Sequence, residues 1–376
     1  MELESSNLIN INNSRTGRCF KMFSFEKDIK KLTNLLHSVL GVINLSIILF
    51  AFIFFLFNRI KDFICSINFD FLKKKSKDLR YYQDPQHYFC DNVGKLFNRE
   101  LEDKIILYNV SLNNSNFDMF IFDDYDYYSW QIKINQSFNP EGTLEMLKAI
   151  KYYADKNDYL EEDIAIIDIG ANVGWYTNFF GNLKYTVFSF ESLPDNNYLL
   201  RKNFCRNNKD YFGPGSTVTI INEALHPSET FCNYYKDSKS SKKSLILCDK
   251  TKEKNLDKDY IKIAKIKANK LSNFIPLING KRLTLIKLDL EYEGEMAIES
   301  GKELILKYHI PYIFIEFNMS MFSLHETRPQ DFLRFFTQNG YKISLSGFLS
   351  EEFISIEDLM KTKFITINLY LVFVGG

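Results

Sequence analysis

The sequence predicts an α/β domain in which a mostly parallel sheet has helices on both faces. From Ile164 onward, short apolar runs alternate with segments of helical periodicity, and the first run, Ile164–Ile169, contains a single polar residue, Asp168. Such runs are typical of strands that are buried on both faces, as in parallel sheets covered by helices. The last two apolar runs predict a C-terminal antiparallel hairpin.

The individual elements follow from local pattern and from breaker residues. Apolar alternation predicts short strands over 117–122 and 127–134, and one-sided apolar spacing predicts a helix over 142–154. Pro194 is placed to open a later helix, and Gly340 to end another. From residue 164 onward, the predicted strands are 164–169, 185–190, 217–221, 283–290, 312–317, 341–345 and 364–374. The predicted helices are 175–183, 194–203, 295–307 and 330–338.

A glycine turn follows the first buried strand, where the sequence over 168–174 is DIGANVG. Gly170 permits the backbone angles of a sharp turn and the close approach of a ligand. Gly174 permits tight entry into the next helix, whose N-terminal amides attract an anionic group. Asp168 is placed to hold either the turn or a cationic group of the ligand, and Asn172 lies within the turn. The combination indicates a ligand site at the strand end.

An acid at the end of the second strand points to a nucleoside. The two oxygens of Glu191 can accept hydrogen bonds from both ribose hydroxyls of an adenosine. Glu223 and Ala224, after the third strand, are placed to border the adenine. A dinucleotide enzyme is disfavoured because Asn172 stands where its G-x-G-x-x-G motif requires glycine, and no G-x-x-x-x-G-K-[ST] phosphate loop occurs.

These motifs resemble those of the FkbM family of S-adenosylmethionine (SAM)-dependent methyltransferases. The family pattern D-x-G-A-N-x-G is matched at 168–174, and F-E-P-x-P-x-N is matched at 190–196 except for its first proline. The pattern K-x-D-x-E-G-x-E is matched at 287–291, but the glycine is displaced to Gly294. The resemblance covers about 117–373 and implies a Rossmann-like class I methyltransferase fold, SAM as cofactor and, usually, O-methylation of sugars or other small molecules.

The resemblance and the strand ends together give a set of site residues. The predicted cofactor-binding residues are Asp168, Gly170, Asn172, Gly174, Glu191, Glu223 and Ala224. Asp289 and Glu291 are the predicted catalytic residues, because alternate residues of a strand share a face and this strand ends at the ligand edge. One carboxylate would line the methionyl end of SAM, and the other would accept the proton of a hydroxyl acceptor. In the alternative interpretation, both are solvated or pair with Lys287.

A different class of function stays open, since the displaced glycine is also compatible with a catalytically inactive, membrane-tethered binding module. No metal site is predicted, because the six cysteines and five histidines contain no CxxC pair and no HxxxH spacing. Isolated thiols are favoured, with one or two disulfides if the domain is lumenal. The balanced formal charge gives no attraction for nucleic acid.

The segment 32–58 contains no Lys, Arg, Asp or Glu. Because about 20 apolar residues span a bilayer, it predicts one transmembrane helix rather than a cleaved signal peptide or a buried helix. Basic residues before the segment weakly favour a cytoplasmic N-terminus. The catalytic domain would then lie in the lumen of the secretory pathway, where it would meet a glycan or small-molecule acceptor. Glycosylation sequons at Asn109, Asn113, Asn135 and Asn318 are compatible with that side.

The chain therefore divides into four predicted parts. A polar tail over 1–31 precedes the transmembrane helix at 32–58, and a juxtamembrane stretch over 59–115 connects it to the methyltransferase domain at 116–376. Within that domain, the charged segment at about 236–259 is predicted to be a surface insertion that could overhang the ligand edge.

Overall fold

The computed structural model describes residues 90, 99–123, 127–207, 218–238, 244–249, 251–256, 258–278, 280–290, 293–322 and 327–375. The strands are β1 (Ile105–Leu112), β2 (Ser115–Phe122), β3 (Ile164–Ile169), β4 (Thr186–Phe190), β5 (Val218–Ile221), β6 (Ala224–Leu225), β7 (Thr230–Asp237), β8 (Ser244–Leu247), β9 (Tyr260–Asn269), β10 (Arg282–Leu288), β11 (Tyr312–Asn318), β12 (Tyr341–Ser344) and β13 (Thr366–Phe373). The α-helices are α1 (Arg99–Glu102), α2 (Tyr127–Asn135), α3 (Pro140–Lys156), α4 (Trp175–Asn182), α5 (Pro194–Asn207), α6 (Gly294–Tyr308), α7 (Pro329–Gln338) and α8 (Ile356–Lys361).

A seven-stranded sheet forms the centre of the domain, in the order β12-β13-β11-β10-β3-β4-β5. The strands β11, β10, β3, β4 and β5 pair in parallel, and β13 runs antiparallel to both β11 and β12. The prediction of a mostly parallel sheet is therefore wrong, because the sheet is mixed. The last two strands pair antiparallel as predicted, although helix α8 lies between them in sequence.

Helices cover both faces of this sheet, as predicted. Alternate residues of β3 point to opposite sides, so that Ile166 packs into one apolar core and Ile167 into the other. The first core includes buried residues of α3, α4 and α5, and the second includes those of α6 and α7. Because both faces of β3 are buried, its sequence is an almost continuous apolar run.

The segment predicted as a strand at 127–134 is instead helix α2, so that prediction is wrong. Tyr128 and Ile132 are buried four residues apart, which is the spacing of one helix face, whereas Trp130 and Ile134 are exposed. The apolar residues alternate along this segment, and short runs of that kind do not distinguish a strand from a helix.

The segment before the central sheet packs against α5. Strand β1, which lies within the predicted juxtamembrane stretch, pairs along its length with β2. The Asn203 side chain accepts a hydrogen bond from the Phe120 backbone N–H at 2.5 Å and donates one to the Phe120 carbonyl at 2.9 Å. A disulfide joins Cys90 to Cys205 of α5, so the expectation of isolated thiols is wrong for this pair.

A second sheet, in the order β6-β9-β7-β8, lies beyond the end of β5. We refer to these four strands as the accessory sheet. Part of the predicted charged insertion belongs to it, since β8 pairs with β7. A second disulfide, between Cys232 of β7 and Cys248 just after β8, links two of its strands, so isolated thiols are not found here either.

Several predictions fall outside the described residues. These are the tail at 1–31, the membrane span at 32–58 and the catalytic candidate Glu291. Among the residues that are described, none of the helices combines the length and apolar character needed to cross a membrane.

Candidate functional site

The glycine turn after β3 closes against the segment that follows β10. Gly170 has a φ of 73°, which favours glycine, and a Cβ atom here would overlap the carbonyl oxygen of Asp289. The Asp289 N–H donates to the Ile169 carbonyl at 3.1 Å, which holds the two segments together. Gly174, with a φ of 95°, precedes α4, and a Cβ there would overlap the Leu200 side chain. The sequence therefore needs glycine at both positions for steric reasons.

Glu191 lies at the end of β4, beside this turn, and is only 6% exposed. Its carboxylate accepts hydrogen bonds from the backbone N–H groups of Asn172 at 2.8 Å and Leu193 at 2.7 Å. Asn172 adopts a left-handed conformation, with a φ of 53°, within the turn. Burial raises the pKa of Glu191 to about 7, although the two backbone hydrogen bonds act in the opposite direction. The acid and the glycine turn therefore form one hydrogen-bonded unit.

A small cleft with a volume of about 40 Å³, partly open to solvent, lies beside Gly170 and Glu191. Glu223 and Ala224 also line it, so four of the predicted cofactor residues come together here. The Glu223 side chain is buried and forms an ion pair with Lys267 at 2.7 Å.

The walls of this cleft are largely apolar. They include Ile169, Phe190 and Leu225 at the strand ends, and Leu290 after β10. Ile246 and Cys248 extend the lining into the accessory sheet, and Glu293 adds a third carboxyl group. A flat apolar ring between such walls would be shielded from water.

Asp168 and Asp289 meet a buried cation on the other side of the glycine turn. The Lys287 side chain is 2% exposed, and its ammonium lies 3.2 Å from Asp168 Oδ1 and 3.5 Å from Asp289 Oδ2. It also donates to the Gly170 carbonyl at 2.8 Å. Burial by itself lowers the pKa of Lys287, but the charges of the two carboxylates outweigh it and raise the pKa. Lys287 therefore stays cationic and holds the turn and both acids together.

The two acids differ in their access to solvent. The Asp168 side chain is 1% exposed and accepts a hydrogen bond from the Thr177 hydroxyl at 2.8 Å. It therefore supports the turn from within the protein interior. The Asp289 side chain is 26% exposed and can contact a bound molecule. Strand β10 ends at Leu288, so the predicted strand was too long and Asp289 is the first residue beyond it.

Sequence reasoning missed three residues of this site. Lys287 was considered only as an ion-pair partner, although a lone cation in a buried apolar strand indicates a buried counter-charge. Tyr176 had no predicted role, but its ring centroid lies 4.9 Å from the Lys287 ammonium and its hydroxyl accepts a hydrogen bond from Asn139 at 3.2 Å. Glu293 had no role, because its position depends on how the chain enters α6.

Comparison with known proteins identifies this arrangement. Residues 168–343, just under half of the chain, match the family model described as the methyltransferase FkbM domain. These residues are a methyltransferase FkbM domain. The resemblance seen in the motifs is therefore confirmed, and the match indicates S-adenosyl-L-methionine as the cofactor.

Solved structures with similarity to the chain include other methyltransferases. Methyltransferase FkbM from Methylobacillus flagellatus KT is 15% identical, with a TM-score of 0.34, and the match covers 66% of this chain and 55% of that one. The chain thus matches about half the length of that protein. Magnesium protoporphyrin IX methyltransferase from Synechocystis PCC 6803, solved with bound SAM, is 9% identical, with a TM-score of 0.32 and coverage of 66% and 85%. No curated protein shows significant similarity to the chain.

The chemistry of the FkbM domain's own residues fits this cofactor. A carboxylate offers about four lone-pair sites. Backbone N–H groups occupy two of those on Glu191, which leaves two for the pair of ribose hydroxyls. Within the part of the chain that the structure describes, no group of three or more His, Cys, Asp and Glu side chains could hold a metal ion.

Proposed function

We propose that this protein is a SAM-dependent O-methyltransferase that acts on a hydroxyl group of a sugar, a glycan or another small molecule. The observation that carries the proposal is the closure of the Gly170 turn against Asp289, beside the buried Glu191. Both features belong to a domain that matches a methyltransferase family, and they support a nucleoside site beside a partly exposed carboxylate.

In this proposal Glu191 holds the ribose, and Glu223 and Ala224 border the adenine, since all three line the same cleft. The apolar walls exclude water from the base. Because Gly170 has no side chain, the backbone of the turn can approach the ligand closely. The four positions together define the adenosyl end of the site.

Asp289 acts at the end of the site where the methyl group is transferred. SAM supplies the methyl group from a sulfonium sulfur, which is a good leaving group. The chain must therefore align the acceptor oxygen and remove its proton. Asp289 is a partly exposed carboxylate beside the turn, and we assign it the role of accepting this proton. Lys287 keeps the Asp289 carboxylate in place through its ion pair at 3.5 Å.

A lumenal location is part of the proposal, with the segment 32–58 as the membrane anchor. Two disulfides, Cys90–Cys205 and Cys232–Cys248, support an oxidising compartment, because such bonds are rare in the cytosol. An enzyme in that compartment would meet glycans, which makes a sugar hydroxyl the preferred acceptor.

Replacing Asp289 with asparagine tests the assigned role. Asparagine keeps the size of the side chain but cannot accept the proton, so methyl transfer should fall by about 10²-fold or more. Because Lys287 retains Asp168 as a partner, the variant should still fold. The measurement is S-adenosylhomocysteine (SAH) formation during incubation with SAM and a glycan acceptor, together with calorimetric SAM affinity. Asp155→Asn, which changes an exposed residue of α3, is the matched control.

The outcomes of this experiment separate the alternatives. A loss of turnover with intact SAM affinity supports Asp289 as the base, whereas a parallel loss of affinity assigns it to the methionyl end of the cofactor. Full activity of Asp289→Asn would exclude Asp289 as the base. The acceptor itself would come from mass spectrometry of methylated glycans in cells with and without the protein.

A further inference from the structure

Glu293 lines the proposed cofactor cleft from the segment between β10 and α6. It is the residue immediately before α6, and it lines the cleft together with Gly170, Glu191 and Ala224. One of its carboxyl oxygens, Oε2, is shielded from solvent. The proposed adenosyl site therefore contains a carboxyl group that has no assigned task.

We propose that the Glu293 carboxyl binds the adenine ring directly, by donating a hydrogen bond to a ring nitrogen and accepting one from the exocyclic amino group. The inference rests on the proposed function, since it assumes that the cleft holds the adenosyl part of the cofactor. It makes Glu293 the residue that selects an amino-substituted purine.

The protonation state of Glu293 is suited to this task. Burial raises its pKa to about 8, so the carboxyl is largely neutral at pH 7. A neutral carboxyl carries one donor and one acceptor side by side. Adenine presents the complementary pair, since its amino group lies beside a ring nitrogen acceptor such as N7. An ionised carboxylate would place a second acceptor against that nitrogen.

Charged groups from several elements act on Glu293. Lys252, in the short helix between β8 and β9, lowers its pKa, whereas Glu295 of α6 and Asp249 after β8 raise it. Glu191 and Glu223 line the same cleft. Excess negative charge around one carboxyl favours its protonated form.

Two titrations should consequently shape the pH dependence of cofactor affinity. Glu191 accepts the ribose hydroxyls best when ionised, so affinity should rise as the pH increases through about 7. Glu293 must be protonated to donate, so affinity should fall as the pH increases through about 8. Only the second change depends on Glu293, which allows it to be isolated by substitution.

The first test is a calorimetric cycle at pH 7. The ligands are SAH and its analogue in which unsubstituted purine replaces adenine, and the proteins are the full-length wild type and Glu293→Ala. For wild type, loss of the amino group should weaken binding by about 3- to 10-fold, the range for one neutral hydrogen bond. In Glu293→Ala, SAH should bind about tenfold more weakly or worse, and the difference between the two ligands should disappear.

The second test uses Glu293→Gln, which keeps one acceptor and one donor but does not titrate in this range. It should bind SAH within about threefold of wild type at pH 7 and should lack the decline above pH 8. This variant retains the size of the side chain, so it also tests the inference if Glu293→Ala fails to fold.

Three results would overturn the inference. They are a full ligand difference in folded Glu293→Ala, wild-type SAH affinity in that variant, and an undiminished decline above pH 8 in Glu293→Gln. In all three cases the wild type still binds SAH, so the proposed function stands. If folded wild-type protein binds no SAH at any pH, the proposed function fails and this inference fails with it.

Discussion

The ammonium of Lys287 connects three features of the site at the scale of single residues. It contacts the Gly170 carbonyl, the buried Asp168 and the more exposed Asp289. Removing an unpaired ammonium from water costs several kcal/mol, and the two carboxylates offset this cost. The same contacts fix the direction of the Asp289 side chain. One buried residue therefore couples the shape of the glycine turn to the position of the proposed base.

The close contact between Gly170 and the Asp289 carbonyl can be tested by substitution. Gly170→Ala would place a methyl group against the Asp289 carbonyl in a backbone conformation that disfavours alanine. The expected result is a loss of roughly 3 kcal/mol or more in the free energy of unfolding, together with weaker SAM binding. Denaturant titration and calorimetry measure the two effects.

Gly280 is the matched control for this change. Its φ is 77°, close to that of Gly170, but a Cβ there would meet nothing within 4 Å. Gly280→Ala should therefore cost only about 1 to 2 kcal/mol from backbone strain and leave SAM affinity unchanged. Equal destabilisation by the two substitutions would show that contact with Asp289 is not what requires glycine at 170.

The sequence predicted that several residues of the cleft would lie together. Gly170, Glu191 and Ala224 lie beside one another because strand ends of a parallel region converge on one edge, which periodicity alone can indicate. Glu293 could not be predicted, because its place depends on the path of the chain between β10 and α6. Asp289 was predicted as a strand residue, and its side chain is instead directed by Lys287.

The accessory sheet is the main feature that sequence patterns missed at the scale of secondary-structure elements. Its strand β8 lies within a charged segment, where short apolar runs are flanked by many lysines and serines. Strand β8 pairs with β7, and the hydrophobic periodicity of a single segment does not predict which other segment it pairs with. The structure brings Ile246 and Cys248 from this region to the wall of the cleft beside Glu191.

The Cys232–Cys248 disulfide should stabilise this wall. By the entropy of closing its loop, a separation of 16 residues corresponds to about 3 kcal/mol of stability. Replacing both cysteines with serine should therefore lower the melting temperature, and it should weaken SAM binding because Cys248 lines the cleft. Differential scanning calorimetry and SAM titration measure these effects.

Peptide mapping without reduction supplies an independent check of this pairing. It should recover Cys232 linked to Cys248, and Cys90 linked to Cys205. If these cysteines are alkylated as free thiols in protein isolated from its native compartment, the argument for an oxidising environment is lost.

The proposed lumenal location rests on the sequence of the segment 32–58 and on the sequons. Asn109, Asn113 and Asn135 are exposed in the structure, so all three can carry a glycan. If the domain is lumenal, treatment of the cellular protein with an N-glycosidase should increase its electrophoretic mobility. Substituting these three asparagines and Asn318 with glutamine should abolish that shift. Modification only at Asn12 would indicate the opposite orientation and would contradict a glycan acceptor.

In the proposed function, the edge formed by the Gly170 turn and Glu191 binds the adenosyl group of SAM. Calorimetric titration of the protein with SAH measures this binding. We expect one molecule of SAH per chain, and we expect Glu191→Ala to weaken binding by about 1.5 to 3 kcal/mol through loss of a charged acceptor. Glu303→Ala, an exposed change on α6, should have no effect. Unchanged SAH affinity in folded Glu191→Ala, or no SAH binding by folded wild-type protein, would contradict the claim.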